Sequence, residues 1–127
     1  AWLIFEQFPT FGIGAGNFRY LCPDLIRPDL GYPCHNHPHN FYLQILAETG
    51  SLGLISAVVF IGSIILKCLG ARAANRHVLY STAWIIPFAL FWPIRSTADF
   101  FGQWNNIFFW SAVALALAVV HSKSKNI

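Results

Sequence analysis

The chain is expected to be an all-α fragment of a polytopic membrane protein, with three transmembrane helices and an irregular or helical outward-facing loop. Three observations predict this. Of its 127 residues, 56% are hydrophobic and only 10% are charged, against roughly 25% charged in an average soluble domain. The eight Lys/Arg and five Asp/Glu fall in clumps. Between the clumps lie three charge-free runs, Thr49–Leu66, Val78–Ile94 and Phe100–Val120, of 18, 17 and 21 residues. A spanning helix needs about 20 mostly apolar residues, with a range of about 17–25.

The same composition excludes other classes. Disorder needs low hydrophobicity and high charge. A nucleic-acid module needs clustered Lys/Arg, and the net charge of +3 reflects few acids rather than many bases. A soluble bundle of three buried helices would need more polar residues to cover its surface.

Taken in order, residues 1–48 form the outward loop. The stretch Phe8-Pro9-Thr10-Phe11-Gly12-Ile13-Gly14-Ala15-Gly16-Asn17-Phe18-Arg19 is punctuated by glycine at alternate positions. Glycine allows positive φ and close backbone approach, so this segment is expected to pack as a tight loop onto the helices. Its G-x-G-x-G spacing and the lack of a βαβ pattern argue against a dinucleotide site. From Pro23 to Pro33, three prolines in eleven residues forbid a long helix and predict an irregular loop or short helical turns. Asn40 is a good N-cap. Phe41/Ile45 and Tyr42/Leu46 then stand at i, i+4 and predict a helix that leads into the first span.

That span is expected over residues 49–69, followed by a cytoplasmic loop at 70–77. The second span is expected at 78–94, with Pro87 and Pro93 inside it. Membrane helices tolerate such prolines when neighbouring groups satisfy the freed carbonyls. A turn at 95–104, a third span at 105–121 and a tail at 122–127 complete the chain. The segment from Lys67 to His77, with Lys67, Arg72 and Arg76, and the tail holding Lys123 and Lys125 are short, basic and free of acids. Such segments stay cytoplasmic, and three crossings put both on one side. Glu6, Asp24, Asp29, Glu48 and Asp99 then all lie on the outer side or at its edge. The chain opens on Ala1-Trp2-Leu3 with no Met and no signal-peptide pattern, so it is expected to be the C-terminal part of a larger protein.

The outward loop concentrates the chemistry. Three of the five histidines, His35, His37 and His39, lie within five residues. One reading is a metal site, although adjacent rings on an extended segment do not easily meet one ion and Pro38 interrupts the run. A second is a set of polar loop histidines at the headgroup interface. A third is a catalytic or substrate-binding imidazole, suited near neutral pH to take a proton from a hydroxyl. Cys22 and Cys34 lie twelve residues apart on the outer, oxidising side. That spacing permits a disulfide without requiring one. Cys68, near the cytoplasmic face, is expected to be a free thiol.

Two motifs carry a resemblance. The first is Pro9-x-Phe11-Gly12-x-Gly14-x-Gly16-Asn17-Phe18. The second is His37-Pro38-His39-Asn40-x-Tyr42-Leu43-Gln44-x-Leu46-x-Glu48-x-Gly50-x-x-Gly53. Over about residues 8–66 the chain resembles the O-antigen ligase/polymerase superfamily of polytopic bacterial inner-membrane glycosyltransferases. The ligase signature is a His, then Asn, Ser or Gln, nine residues, Gly, two residues, then Gly, Thr or Tyr. His39, Asn40, Gly50 and Gly53 match its fixed positions.

The resemblance implies a multi-pass enzyme with its active site facing the periplasm. It implies transfer of a glycan from undecaprenyl pyrophosphate to an acceptor hydroxyl, as when O-antigen is joined to lipid A–core in lipopolysaccharide biosynthesis. It implies no metal and no cofactor. The family's essential periplasmic His maps onto His39, with Asn40 beside it in the signature. Family arginines contact the pyrophosphate. The candidates here, Arg19 and Arg27 with Arg95 as a further one, rest on chemistry, because guanidinium binds phosphate bidentately. Competing structural roles are Arg19 pinning the loop to Asp24 or Asp29, and Arg95 snorkelling or pairing with Asp99. Glu48 is expected to be structural. A polymerase or a protein O-oligosaccharyltransferase of the same superfamily would carry the same motif. A transporter or metal-handling membrane protein is the reading from another class. Charge-free spans argue against it, since transporters keep polar groups at the midplane.

Overall fold

The computed structural model describes residues 1–25, 34–73 and 78–124. Among them the regular structure is helical and no strand occurs. The elements are α1 (Trp2–Gln7), α2 (Phe18–Leu25), α3 (Phe41–Ala73), α4 (Val78–Thr82), α5 (Ile85–Leu90) and α6 (Gln103–Ser124). The chain divides into two units. One comprises Ala1–Ala57 with Pro93–Asn105, the other Val58–Trp92 with Asn106–Ile127.

In the first unit, α3 starts where the sequence predicts. The Asn40 side-chain oxygen accepts the backbone N–H groups of Tyr42 and Leu43 at 3.0 and 3.1 Å. An N-cap of this kind contributes about 1 kcal/mol by filling orphan donors of the first turn. Nine residues on, the helix breaks. Gly50 has φ 68° and ψ −167°, a region open essentially to glycine alone.

A regular α-helix here would join Ala47 O to Ser51 N–H and Glu48 O to Leu52 N–H. Neither bond forms. Instead Ile13 N–H and Gly14 N–H donate to Ala47 O and Glu48 O at 3.2 and 2.8 Å. Ser51 N–H and Leu52 N–H donate to Pro9 O and Thr10 O at 2.8 and 3.4 Å. The glycine loop thus replaces both bonds, and none of the four groups is orphaned. The approach is close enough that a Cβ on Gly50 would strike the Thr10 carbonyl, and one on Gly12 would strike the backbone at Glu48–Thr49. The sequence-based expectation of a tight loop packed on the helix is met, through insertion into the helix break.

The apolar centre of this unit is Ile4, Phe18, Cys22 and Ala47, with Ile13, Leu21, Leu25 and Cys34 packed around it. Cys22 and Cys34 are disulfide-bonded, with Cα atoms 6.0 Å apart. Phe41, 2% exposed, stacks on Phe100 with centroids 5.6 Å apart. Burying a Phe side chain contributes roughly 1.5–3 kcal/mol, so this pair ties the start of α3 to the segment before α6.

The second unit is apolar and turned outward. Val58, Val59, Phe60 and Leu66 of α3 and Ile107, Phe108 and Leu115 of α6 are exposed. Both helices are long and apolar enough to cross a membrane, and only 17% and 11% of their apolar stretches are buried within the chain. A core helix of a soluble protein would be mostly buried. Inside the unit, Phe91 meets Phe109 at 5.0 Å and Trp110 at 6.3 Å, and Phe60 meets Trp110 at 6.0 Å.

The expected single span over 78–94 is instead two short helices, α4 and α5, with a turn at 83–84 between them. Pro87 accounts for the break. It has no N–H to offer the carbonyl four residues earlier, at Ala83, and its ring crowds that carbonyl. Two helices rather than three are therefore of spanning length among the described residues.

Candidate active site

The histidine run ends at the mouth of α3, where residues 93–102 lie against it. Asn40 serves two masters: its oxygen caps α3, and its amide N–H donates to Pro93 O at 2.6 Å. Thr97 N–H donates to His39 O at 2.8 Å. His39 is thereby fixed at its backbone while its side chain stays accessible. Its ring packs edge-on against His35 and His37, with centroids 5.3 and 5.1 Å apart. Among the described residues, no three His, Cys, Asp or Glu side chains are grouped to hold a metal ion.

One turn deeper, a polar network occupies the interior. Gln44 and Glu48 are each 1% exposed. The Glu48 carboxylate accepts the N–H of Gly16 on Oε2 and the N–H of Phe18 on Oε1, the latter at 3.2 Å. Phe18 opens α2, so Glu48 meets the positive end of that helix and fills its unpaired donors. Glu48 is thus structural, as expected: a buried charge is tolerated when it is hydrogen-bonded.

Gln44 Nε2 donates to Glu48 Oε1 at 3.5 Å and to Asp99 Oδ1 at 2.6 Å, and its Oε1 accepts Phe100 N–H at 2.9 Å. Asp99 also accepts Phe101 N–H at 3.0 Å and faces Arg19 Nη2 at 3.9 Å. Arg19 Nε donates to Gly16 O at 3.3 Å, its guanidinium lies over the Tyr20 ring, and its side chain is 47% exposed. Thr97 Oγ1 is the one buried side-chain oxygen or nitrogen without a hydrogen bond among the described residues.

The site residues named from sequence distribute as follows. Arg95 lies on the segment between Pro93 and Thr97, whose backbone bonds to Asn40 and His39. Arg95 is exposed. Arg19 joins the same unit through Asp99. Its partner is Asp99 rather than Asp24, and Asp99 goes to Arg19 rather than to Arg95. Arg27 lies outside the described residues, as does Asp29. Beside α2 a cleft is lined by Phe8, Ile13 and Leu21 on its apolar side and by Asn17, Tyr20 and Asp24.

Sequence reasoning gave no role to Gln44 or Thr97, and gave Asp99 only as a partner for Arg95. Gln44 and Glu48, two polar residues at i, i+4 inside an apolar helix, gave a readable signal. Nothing local pointed from Asp99 to Gln44 and Arg19, or from Thr97 to His39, since those partners are more than fifty residues away.

Residues 1–58 match the family model described as O-antigen ligase. The match covers the loop, the capped start of α3, the Gly50 break and the buried Gln44–Glu48 pair. No curated protein and no solved structure matches the chain.

Proposed function

We propose that this O-antigen ligase segment is the catalytic part of a membrane glycosyltransferase. The enzyme takes a glycan from undecaprenyl pyrophosphate and gives it to a hydroxyl of lipid A–core at the periplasmic face of the inner membrane. The observation that carries the reading is a coincidence of place. The family match covers residues 1–58, and those residues include His39, Asn40 and Arg19, gathered in one hydrogen-bonded unit.

In the proposed reaction the bond between the anomeric carbon and the pyrophosphate oxygen breaks, and the pyrophosphate leaves with the electron pair. The acceptor oxygen forms the new bond to carbon and gives its proton to the His39 imidazole. Charge grows on the leaving pyrophosphate. Guanidinium groups are suited to meet it: Arg19 and Arg95, with Arg27 on sequence grounds. In this scheme they supply the neutralisation that a divalent metal supplies elsewhere.

In this reading the chain crosses the membrane three times, which gives the periplasmic placement. Residues 93–100 bond to residues 39–44, so the chain between α3 and residue 93 returns to the side it left. In this reading α4 and α5 make the return as a broken span. The basic segments around Arg72 and Lys123 then both stay cytoplasmic.

His39→Ala is expected to lower glycan transfer by about 10²–10⁴-fold while the protein still inserts in membranes. A His39→Ala protein that transfers normally, alongside a wild type silenced by EDTA, would replace this reading with a metal site. A gel of surface polysaccharide from cells lacking the gene separates ligase from polymerase. Loss of all capped lipopolysaccharide is the ligase outcome, and capping by single repeats is the polymerase outcome.

A further inference from the structure

The buried polar groups close into a ring around Arg19. Its backbone follows Phe18, whose N–H is held by Glu48. Glu48 is bonded to Gln44, Gln44 to Asp99, and Asp99 faces the Arg19 guanidinium. Both ends of Arg19 are thus referred to one side chain. Gln44 is chemically suited to that place. It is neutral, it donates to both carboxylates, and its oxygen takes the Phe100 N–H. A carboxylate there would repel Glu48 and Asp99, and an apolar residue would remove the acceptor that Phe100 N–H uses. Gln44 is 1% exposed, so it acts through its neighbours and not on substrate.

We infer that Gln44 is a positioning residue: by bridging Glu48 and Asp99 it fixes the direction in which Arg19 is presented to the pyrophosphate of the lipid-linked donor. The inference rests on the glycosyltransferase reading. Arg19 keeps its side chain 47% exposed although its Nε is bonded to Gly16 O and its Nη2 faces Asp99. A guanidinium held in this way loses less freedom when it meets an anion, which favours donor binding.

The test is a double-mutant cycle in the membrane-embedded protein, with an undecaprenyl-pyrophosphate-linked oligosaccharide as donor and lipid A–core as acceptor. Gln44→Ala and the near-isosteric Gln44→Glu are each combined with Arg19→Ala. Arg19→Ala should raise the donor KM by about 10-fold or more, the loss typical of one bond to a charged group. Gln44→Glu should raise it by a similar factor and leave the acceptor KM unchanged. The double variants should be no worse than Arg19→Ala alone, because two residues acting through one contact are not additive.

The Cys22–Cys34 disulfide, scored by thiol labelling, reports that each variant is folded; Gln44→Glu serves where Gln44→Ala fails this check. A donor KM unchanged in folded Gln44→Glu overturns the inference. So do effects of Gln44→Glu and Arg19→Ala that multiply. If His39→Ala abolishes transfer but Arg19→Ala leaves the donor KM untouched, the inference falls and the enzyme reading stands. If His39→Ala transfers normally, the reading itself falls and takes the inference with it.

Discussion

Both units of this chain bury apolar side chains, and among the described residues only the first also buries polar ones. In the first, Gln44 and Glu48 are interior, the helix is interrupted, and the freed backbone groups are matched by a loop. In the second, Val59, Phe60, Ile107 and Leu115 are turned outward, and the buried side chains among the described residues are apolar. Water explains the first pattern and cannot explain the second. Buried polar groups are mostly hydrogen-bonded, and a long helix that buries little of its apolar surface within the chain suits an apolar solvent. One helix, α3, takes part in both patterns, and Gly50 interrupts it within the first unit.

The contrast can be broken at the helix break first. Gly50→Ala should have the largest effect. The backbone conformation alone costs on the order of 1–3 kcal/mol for a residue with a side chain, and the new methyl meets the Thr10 carbonyl. The loop must then leave the helix break. The expected outcome is loss of folded protein, read by yield after detergent extraction and by thermal unfolding. A Gly50→Ala protein of normal stability would mean that the break is not required.

The apolar unit is tested by Leu115→Arg, near the middle of α6 and 62% exposed. In lipid, Arg at a helix centre costs about 2.5–3.5 kcal/mol on insertion. Glycosylation-site mapping or carbonate extraction should show reduced integration. On a water-facing helix the same change would be nearly silent, and that result would remove α6 from the bilayer.

The smallest effect is expected at Thr97→Val, which removes an unmatched buried hydroxyl at nearly constant volume. Stability should stay level or rise by about 1 kcal/mol, since the group left behind has no partner to lose. A clear fall in melting temperature would show that the hydroxyl is bonded in the working protein.

How much was legible in the sequence follows the same division. The second unit could be read from missing charges, because a long apolar run has few alternatives. The start of α3 could be read too: Asn40 before an i, i+4 pattern is a local signal, and it caps the helix as expected. Pro87 was visible, but its effect depended on whether other groups would rescue the Ala83 carbonyl. They do not keep the helix continuous, and 78–94 divides in two. The first unit was legible in its parts and not in its wiring. Glycines at 12, 14 and 16 announced a tight loop, while the four bonds from Pro9–Gly14 into the break depend on a register that spacing does not encode. Asp99 found Arg19 across eighty residues, and no pattern rule reaches so far. The Cys22–Cys34 spacing permitted a bridge, and the bridge forms.

Loops usually tolerate added residues, and a tag or small domain is commonly placed in one. The Pro9–Gly14 stretch is of another kind, because its two ends are threaded to opposite sides of a helix break and each of four peptide groups has an assigned partner. One added residue between Thr10 and Ile13 would shift half of those partners past their mates. For anyone tagging, truncating or grafting this protein, that stretch has to be handled as part of α3, and the natural place for foreign sequence lies elsewhere.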